Sequence, residues 1–444
     1  MSRTITLKQI NKLAIPALIS GISEPILSIT DTAIVGNIQI NATESLAAVG
    51  IVGAFISMLI WVLGQTRSAI SSIVSQYLGA NQLEKIKNLP AQAIFIITSL
   101  SILIIITTYP FATQIFKLYN ASNIILDYSV DYYRIRVFGF PFTLFTIAVF
   151  GAFRGLQNTY YPMIIAIIGA SVNILLDVVL VYGINGFIPA MNIKGAAYAS
   201  VMAQLIMAVF SGYYLLKKTS IPLILKFPFN PEIKRFIFMI LNLFVRTLAL
   251  NITLYFATKY ATGYGKEYIA AYTIAINLWF LGAFMIDGYA SAGNILSGKL
   301  YGGKKYKQLI ELSKLLIKYG IAIGLVLAIF GALLYYPIGT IFIKEQNVLN
   351  EFYKVFWLIL AMQPLCALAF IFDGIFKGLG KMKDLRNLLL LSTFFVFLPV
   401  LFLLDYFNYK LYAIFIAMTF WIIARGFPLI IKFRKEFLPL SQNN

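Results

Sequence analysis

The chain has 444 residues, of which 60% are hydrophobic and only 12% are charged. Soluble globular proteins carry about 25% charged residues, so this composition excludes an ordinary soluble protein and favours a membrane protein. The chain contains no His and a single Cys, Cys366. These counts exclude His-dependent catalytic triads, His–metal sites and a disulfide framework.

Apolar runs of about 20 residues recur along the chain, which is the length that a helix needs to cross a bilayer. They predict an all-α membrane protein with twelve transmembrane helices, because the strands of a membrane β-barrel would instead alternate polar and apolar residues. In chain order the predicted helices cover residues 12–37, 45–78, 88–110, 129–152, 160–183, 195–216, 235–258, 268–298, 313–337, 352–376, 386–405 and 409–431. A basic, proline-containing connector at 217–234 predicts an N-terminal six-helix lobe at 1–216 and a C-terminal six-helix lobe at 235–444.

The formal net charge is +19, and the basic residues gather at alternate junctions between the predicted helices. This is the positive-inside pattern, which predicts an even number of spans with both termini in the cytoplasm. We therefore interpret the charge as a topology signal and a match to anionic membrane lipids, and not as a nucleic-acid-binding surface. The N-terminus leads directly into a full-length span, so we expect no cleavable signal peptide.

The two halves of the sequence repeat at an offset of 223 residues. Gly79 corresponds to Gly302 and Pro141 corresponds to Pro364 at this shift. Because each half has an even number of spans, both halves are expected to enter the membrane in the same sense, related by a pseudo-two-fold axis along the membrane normal. Two such bundles suit alternating access in a transporter, and a duplicated receptor or scaffold is the alternative.

Five acidic residues lie three or more residues inside the ends of the predicted spans, where ionisable side chains are costly and mark candidate functional sites. They are Glu24, Asp31, Asp177, Asp287 and Asp373. Asp31 lies about 19 residues into the first helix and Asp177 about 17 into the fifth, so at roughly 1.5 Å of rise per residue the two carboxyls share a depth in the outer half of the membrane. The sequence therefore predicts that these two carboxyls form one site.

The residues around this pair favour binding of a small cation. Asn173 precedes Asp177 by four residues, which places its amide on the same helix face. Two carboxylates, an amide oxygen and nearby hydroxyls form a hard-oxygen site that suits Na⁺. The pair also suits protons, because burial and a like-charged neighbour both favour the neutral carboxyl. The alternative is that these side chains are hydrogen-bonded packing groups.

Two further sets of residues are candidates. In the first span, Pro16 and Pro25 permit a kink below Asp31, and Glu24 either lines a cavity or flanks the proline. In the C-terminal half, Arg246, Asp287 and Asp373 form a predicted charge cluster, in which the arginine neutralises an acid. Whether this cluster couples ions or only stabilises the bundle stays open at this level.

The motif Leu13-Ala-Ile-Pro16-x5-Ile22-Ser-x-Pro25-x5-Asp31-Thr-Ala-x-x-Gly36 resembles the first helix of the multidrug and toxic compound extrusion (MATE) transporters, especially their DinF-like branch. Further matches run through nearly the whole chain. They include Asn173-x3-Asp177, Gly195-Ala-Ala-x-Ala-Ser200, Asn242-x3-Arg246-Thr-Leu and Asp373-Gly-x-Phe-x-Gly378.

The resemblance implies a twelve-helix antiporter with two six-helix lobes. Such proteins export organic cations and other xenobiotics, driven by inward H⁺ or Na⁺, without a cofactor. The sequence shows no large soluble appendages, and on that basis we expect an integral plasma-membrane protein, with a bacterial inner membrane as the location. The implied partners are a cationic or amphiphilic small molecule and membrane lipids, and we expect a monomer. The family's N-lobe cation site falls on Asp31, Asn173, Asp177 and Ser200, where the serine replaces a threonine; the first three are the ligands implied for Na⁺.

Three other functions compete with this interpretation. A flippase of lipid-linked precursors or a polysaccharide exporter of the wider superfamily would favour a strongly cationic cavity, whereas the candidate charges here are mainly acidic. A membrane receptor or scaffold would show no ion-coupled flux. An embedded enzyme is disfavoured, because few groups in this sequence could serve as acid or base.

Overall fold

The computed structural model describes residues 5–38, 41–184 and 187–442, and it is all-helical within these ranges. A single isolated antiparallel bridge joins Ile184 and Ile188 in the described part of the chain. The side chains of residues 23–29 lie outside the described part, so the predictions for Glu24 and Pro25 cannot be compared with side-chain contacts. Pro16 is half-buried in a helix that continues through both prolines.

The described ranges contain seventeen α-helices. In chain order these are α1 Leu7–Val35, α2 Ala42–Leu63, α3 Thr66–Gly79, α4 Leu89–Thr108, α5 Ala112–Leu118, α6 Asn123–Arg136, α7 Phe140–Gly155, α8 Tyr160–Tyr182, α9 Asn192–Lys218, α10 Glu232–Gly263, α11 Lys266–Gly302, α12 Tyr306–Leu333, α13 Tyr335–Phe342, α14 Gln346–Gly378, α15 Met382–Ser392, α16 Leu398–Tyr406 and α17 Leu411–Gln442. Short 3-10 turns at Leu83–Ile86 and Val137–Gly139 precede α4 and α7, and a π-helical turn at Thr393–Phe397 joins α15 to α16.

Eleven helical segments among the described residues are long and apolar enough to cross a membrane. Three of them combine consecutive helices: α2 with α3, α6 with α7, and α15 with α16. The helix α1 is a twelfth long helix of 29 residues, which is consistent with the predicted twelve. Large apolar side chains such as Phe95, Ile102 and Ile106 on α4 are about half exposed, as expected for a surface that faces lipid. The predicted fold class, an all-α membrane protein, is confirmed.

By its contacts the chain divides into two compact units. The first unit comprises Ile19–Val74 and Gln82–Ile237, and the second comprises the described residues within Met1–Leu18, Ser75–Asn81 and Phe238–Asn444. The predicted connector at 217–234 lies in the first unit, where the Gln92 side-chain amide donates to the Lys226 carbonyl at 2.7 Å. The lobe boundaries at 216 and 235 stay predictions.

In the first unit, α8 and α9 pack side by side. Gly183 follows the last residue of α8, and its φ of 74° is accessible to glycine at little cost. The chain then returns, and the Met191 amide donates to the Leu180 carbonyl at 2.9 Å. Gly195 of α9 packs on the backbone of Leu180. The polar faces of α8 and α9 therefore become neighbours.

In the second unit, α14 is the central helix and packs on α11, α12 and α17. Its two glycines, Gly374 and Gly378, lie against the carbonyl oxygens of Ala290 and Asn294 on α11, and a Cβ at either glycine would overlap the neighbouring backbone. This is the close helix contact that a small-xxx-small pair permits. The large side chains of Phe352, Phe356 and Trp421 belong to one buried core cluster of this unit.

Candidate cation site

Asp31 and Asp177 lie together inside the first unit. Asp31 is on the part of α1 that belongs to this unit, and Asp177 is on α8. Their side chains are 6% and 0% exposed, and the two carboxyl groups are close enough to interact electrostatically. The matched depth that the sequence predicted for this pair therefore corresponds to a direct interaction between the two side chains.

The other two predicted residues complete the surroundings of the pair. The Ser200 hydroxyl on α9 donates to Asp31 Oδ2 at 3.0 Å. Asn173 lies one turn before Asp177 on α8 and is buried. Ser200 in place of threonine thus retains the hydroxyl that contacts the carboxylate.

Several buried oxygens of this cluster have no hydrogen-bond partner within the described ranges. They are Asp31 Oδ1, Asn173 Oδ1, Asp177 Oδ1 and Asp177 Oδ2. Buried polar atoms are almost always paired, and an unpaired carboxylate inside a protein carries a large desolvation cost. A small cation or a proton would satisfy these oxygens, so the donor set fits the hard-oxygen chemistry that the sequence predicted.

A tyrosine and an arginine on α6 extend the polar cluster. Tyr132 is 3% exposed and interacts electrostatically with both carboxyls and with Arg136. Arg136 Nη1 in turn donates to Gln204 Oε1 at 2.9 Å. The spacing of one turn between Tyr132 and Arg136 was the signal available in the sequence, but it did not indicate that α6 packs beside the carboxylate pair.

The predicted C-terminal cluster forms only in part. Arg246 of α10 and Asp373 of α14 make a buried ion pair at 2.6 Å. Asp287 does not belong to it: its side chain is exposed on α11 and makes no ion pair with any described residue. The prediction placed Asp287 by depth alone, and depth along a helix does not determine which side chains meet.

Two cations that the sequence analysis missed join this cluster. Lys377 Nζ lies 3.0 Å from Asp373 Oδ2, and Arg425 Nη2 lies 3.8 Å from Asp373 Oδ1. Lys377 is one turn after Asp373, so the spacing within α14 was a usable signal. Arg425 interrupts the apolar run of the last span, which marks an ionisable group at membrane depth.

Comparison with known proteins finds relatives along nearly the whole chain. The MatE family model matches residues 16–179 and 239–406. DNA damage-inducible protein F of Escherichia coli (strain K12) is 24% identical over 434 residues, which cover 96% of this chain and 91% of that protein. The probable multidrug resistance protein NorM of Thermotoga maritima is 22% identical, with coverage of 94% and 90%. A crystal structure of MATE in the bent conformation has a TM-score of 0.90 at 21% identity and covers 98% of this chain and 96% of its own.

The two segments that match the family model begin at residues 16 and 239, which are 223 residues apart. This is the offset at which Gly79 corresponds to Gly302 and Pro141 to Pro364. The family model therefore matches each half of the chain separately, as expected for an internal repeat.

Proposed function

Because the chain belongs to the MatE family, whose members are membrane transporters and not enzymes, we propose that this integral membrane protein is a cation-coupled antiporter. We infer that it exports organic cations or other xenobiotics in exchange for inward H⁺ or Na⁺. The names of relatives such as the probable multidrug resistance protein NorM support the cargo class. The observation that carries the proposal is the buried Asp31/Asp177 pair, in which three of the four carboxyl oxygens have no hydrogen-bond partner among the described residues.

The coupling ion would act by neutralising this pair. Two carboxylates in an apolar interior repel each other and lack the solvation of water, which costs several kcal/mol. Na⁺ would be held by Asp31, Asn173 and Asp177, while the Ser200 hydroxyl positions Asp31. A proton would instead be shared by the two carboxyls. Either cation would neutralise negative charge on the two carboxyls. The neutral pair would then be less costly to enclose among apolar side chains.

Transport further requires that the cation bind the inward-open and outward-open states with different affinities, because an ion with equal affinity for both shifts no equilibrium. The site joins α8 and α9 to α1, the helix that contains Pro16 and Pro25. A proline inside a helix leaves a backbone carbonyl without its usual partner and makes bending less costly. We infer that occupation of the site and the shape of α1 change together during alternating access.

The test is ion-driven efflux from proteoliposomes that contain the full chain. The Asp31→Asn and Asp177→Asn variants keep the side-chain shape but remove one negative charge each. We expect each to reduce the initial rate of organic-cation efflux at least tenfold under an inward Na⁺ or pH gradient. The control is Asp127→Asn, which changes an exposed aspartate of the same unit and should retain the wild-type rate. Wild-type coupled efflux by both Asp31→Asn and Asp177→Asn would overturn the proposal.

The competing functions give different results in the same vesicles. A flippase would move lipid-linked precursors between leaflets and leave organic cations in place. A receptor or scaffold would show no flux of either kind under any gradient. We further propose a monomer in a bacterial inner membrane with both termini in the cytoplasm, a placement that protease accessibility of tagged termini in intact spheroplasts would test.

A further inference from the structure

The second unit contains a buried cluster in which cations outnumber anions. Arg246 and Lys377 contact opposite oxygens of Asp373, at 2.6 Å and 3.0 Å, and Arg425 lies 3.8 Å from the first of these oxygens. No other carboxylate in the described part of the chain lies within ion-pair distance of these three cations. Three positive charges therefore share one negative charge.

The excess positive charge of this cluster is buried, where an unpaired charge has a large desolvation cost. The side chains of Arg246, Lys377 and Arg425 are only 7%, 15% and 6% exposed. All three lie in helical segments that are long and apolar enough to cross a membrane. Buried charges are normally paired, because the interior cannot replace the solvation that water provides. A mobile anion would supply the missing negative charge.

Arg425 is held in a position from which it could bind such an anion. Its guanidinium carbon lies 5.2 Å from the ring centre of Phe370 and 4.9 Å from that of Trp421, so the two rings restrict the planar group. One edge, through Nη2, faces Asp373. The other terminal nitrogen, Nη1, is buried and has no hydrogen-bond partner in the described residues. A buried donor of this kind needs an acceptor.

We propose that Arg246, Lys377 and Arg425 form a binding site for a small anion, a halide or a carboxylate, with Arg425 as the main contact. The planar guanidinium suits a carboxylate through two parallel N–H···O bonds and a halide through converging N–H donors. Asp373 holds Arg246 and Lys377 in place and limits the net positive charge. This site lies in the second unit and does not depend on the cation site of the first unit or on the direction of transport.

The test is equilibrium binding of radioactive chloride to the purified full chain in detergent, with sodium fixed and gluconate as the balancing anion. The wild type should bind chloride saturably, with competition by bromide and acetate. If acetate competes at lower concentration than bromide, the site prefers carboxylates; the reverse order indicates a halide site. Arg425→Gln should weaken binding at least tenfold, and Lys377→Gln should also weaken it.

The effect of Asp373→Asn on chloride binding distinguishes an anion site from an ion-pair cluster with only a structural role. Removing the only carboxylate raises the net positive charge of the cluster, so chloride should bind more tightly, whereas a structural role predicts no gain. The matched control is Lys432→Gln, which removes a half-exposed cation of the same unit that is paired with Asp384. The proposal is overturned if the wild type does not bind chloride saturably. It is also overturned if the single variants Lys377→Gln and Arg425→Gln both bind chloride with the affinity of the wild type. If Arg425→Gln fails to fold, the wild type and Lys377→Gln decide the question.

Discussion

At the scale of single residues, the polar groups of the first unit could be identified from the sequence, but their partners could not all be identified. Asp31, Asn173, Asp177 and Ser200 stand out because an apolar span makes each polar side chain conspicuous. The Ser200–Asp31 hydrogen bond joins residues that are 169 positions apart, and only the family motif pointed to it. Their role in cation binding stays a prediction.

Ser200 offers a sharp test of that role. Its hydroxyl donates to the Asp31 carboxylate, and a hydrogen bond to a charged group contributes about 1.5–3 kcal/mol. Ser200→Ala should therefore raise the cation concentration for half-maximal efflux by about tenfold or more, while Ser200→Thr keeps the hydroxyl and should remain near the wild type. The measurement is the dependence of the efflux rate on Na⁺ or H⁺ concentration.

The same helix provides a matched control for this substitution. Ser211 of α9 is also fully buried, and its hydroxyl has no hydrogen-bond partner in the described part of the chain. Ser211→Ala should therefore leave the cation dependence unchanged. If Ser200→Ala shows the same half-maximal concentration as Ser211→Ala and the wild type, Ser200 does not contribute to the site.

At the scale of helices, hydrophobic length predicted the spans well but not their internal breaks. The fourth predicted helix, 129–152, is α6 and α7 separated by a 3-10 turn at Val137–Gly139, whereas its repeat counterpart α14 is continuous. Pro141 therefore begins α7, while Pro364 lies inside α14. The short helices α5 and α13 were not predicted, because segments of seven or eight residues are too short to give a spanning signal.

The contact between α14 and α11 makes a testable prediction about stability. A methyl group at Gly374 would overlap the Ala290 carbonyl, which is backbone and cannot rotate away. Gly374→Ala should therefore destabilise the second unit by about 1–3 kcal/mol, the usual cost of overpacking. Thermal unfolding in detergent should show a lowered midpoint.

Gly53→Ala is the control for this substitution. Gly53 lies inside α2, and a Cβ there meets no atom within 4 Å. Alanine is the better helix former by about 1 kcal/mol, so Gly53→Ala should keep or raise the midpoint. An unchanged midpoint in Gly374→Ala would contradict the close packing of α14 on α11.

At the scale of the whole molecule, the two halves share a sequence framework and differ in the charges they bury. Shifting Asp31 and Asp177 by the repeat offset of 223 leads to Leu254 and Val400, so the second half lacks the carboxylate pair. The same shift relates Lys377 to Arg154, a buried arginine that donates to the Ser20 hydroxyl at 3.1 Å. The duplication is visible in the sequence, whereas the excess of cations around Asp373 depends on side chains from three helices and required coordinates.

The most direct test of cation coupling is to measure the organic-cation gradient at which net transport is zero and changes direction. With the membrane potential clamped in proteoliposomes, the organic-cation gradient that gives zero net flux should shift in proportion to an imposed Na⁺ or H⁺ gradient, because coupled flows reach equilibrium together. Asp177→Asn should abolish this shift. Cation coupling would be contradicted if the zero-flux gradient of the wild type did not shift with either ion gradient. It would also be contradicted if the zero-flux gradient of Asp177→Asn still shifted with one of them.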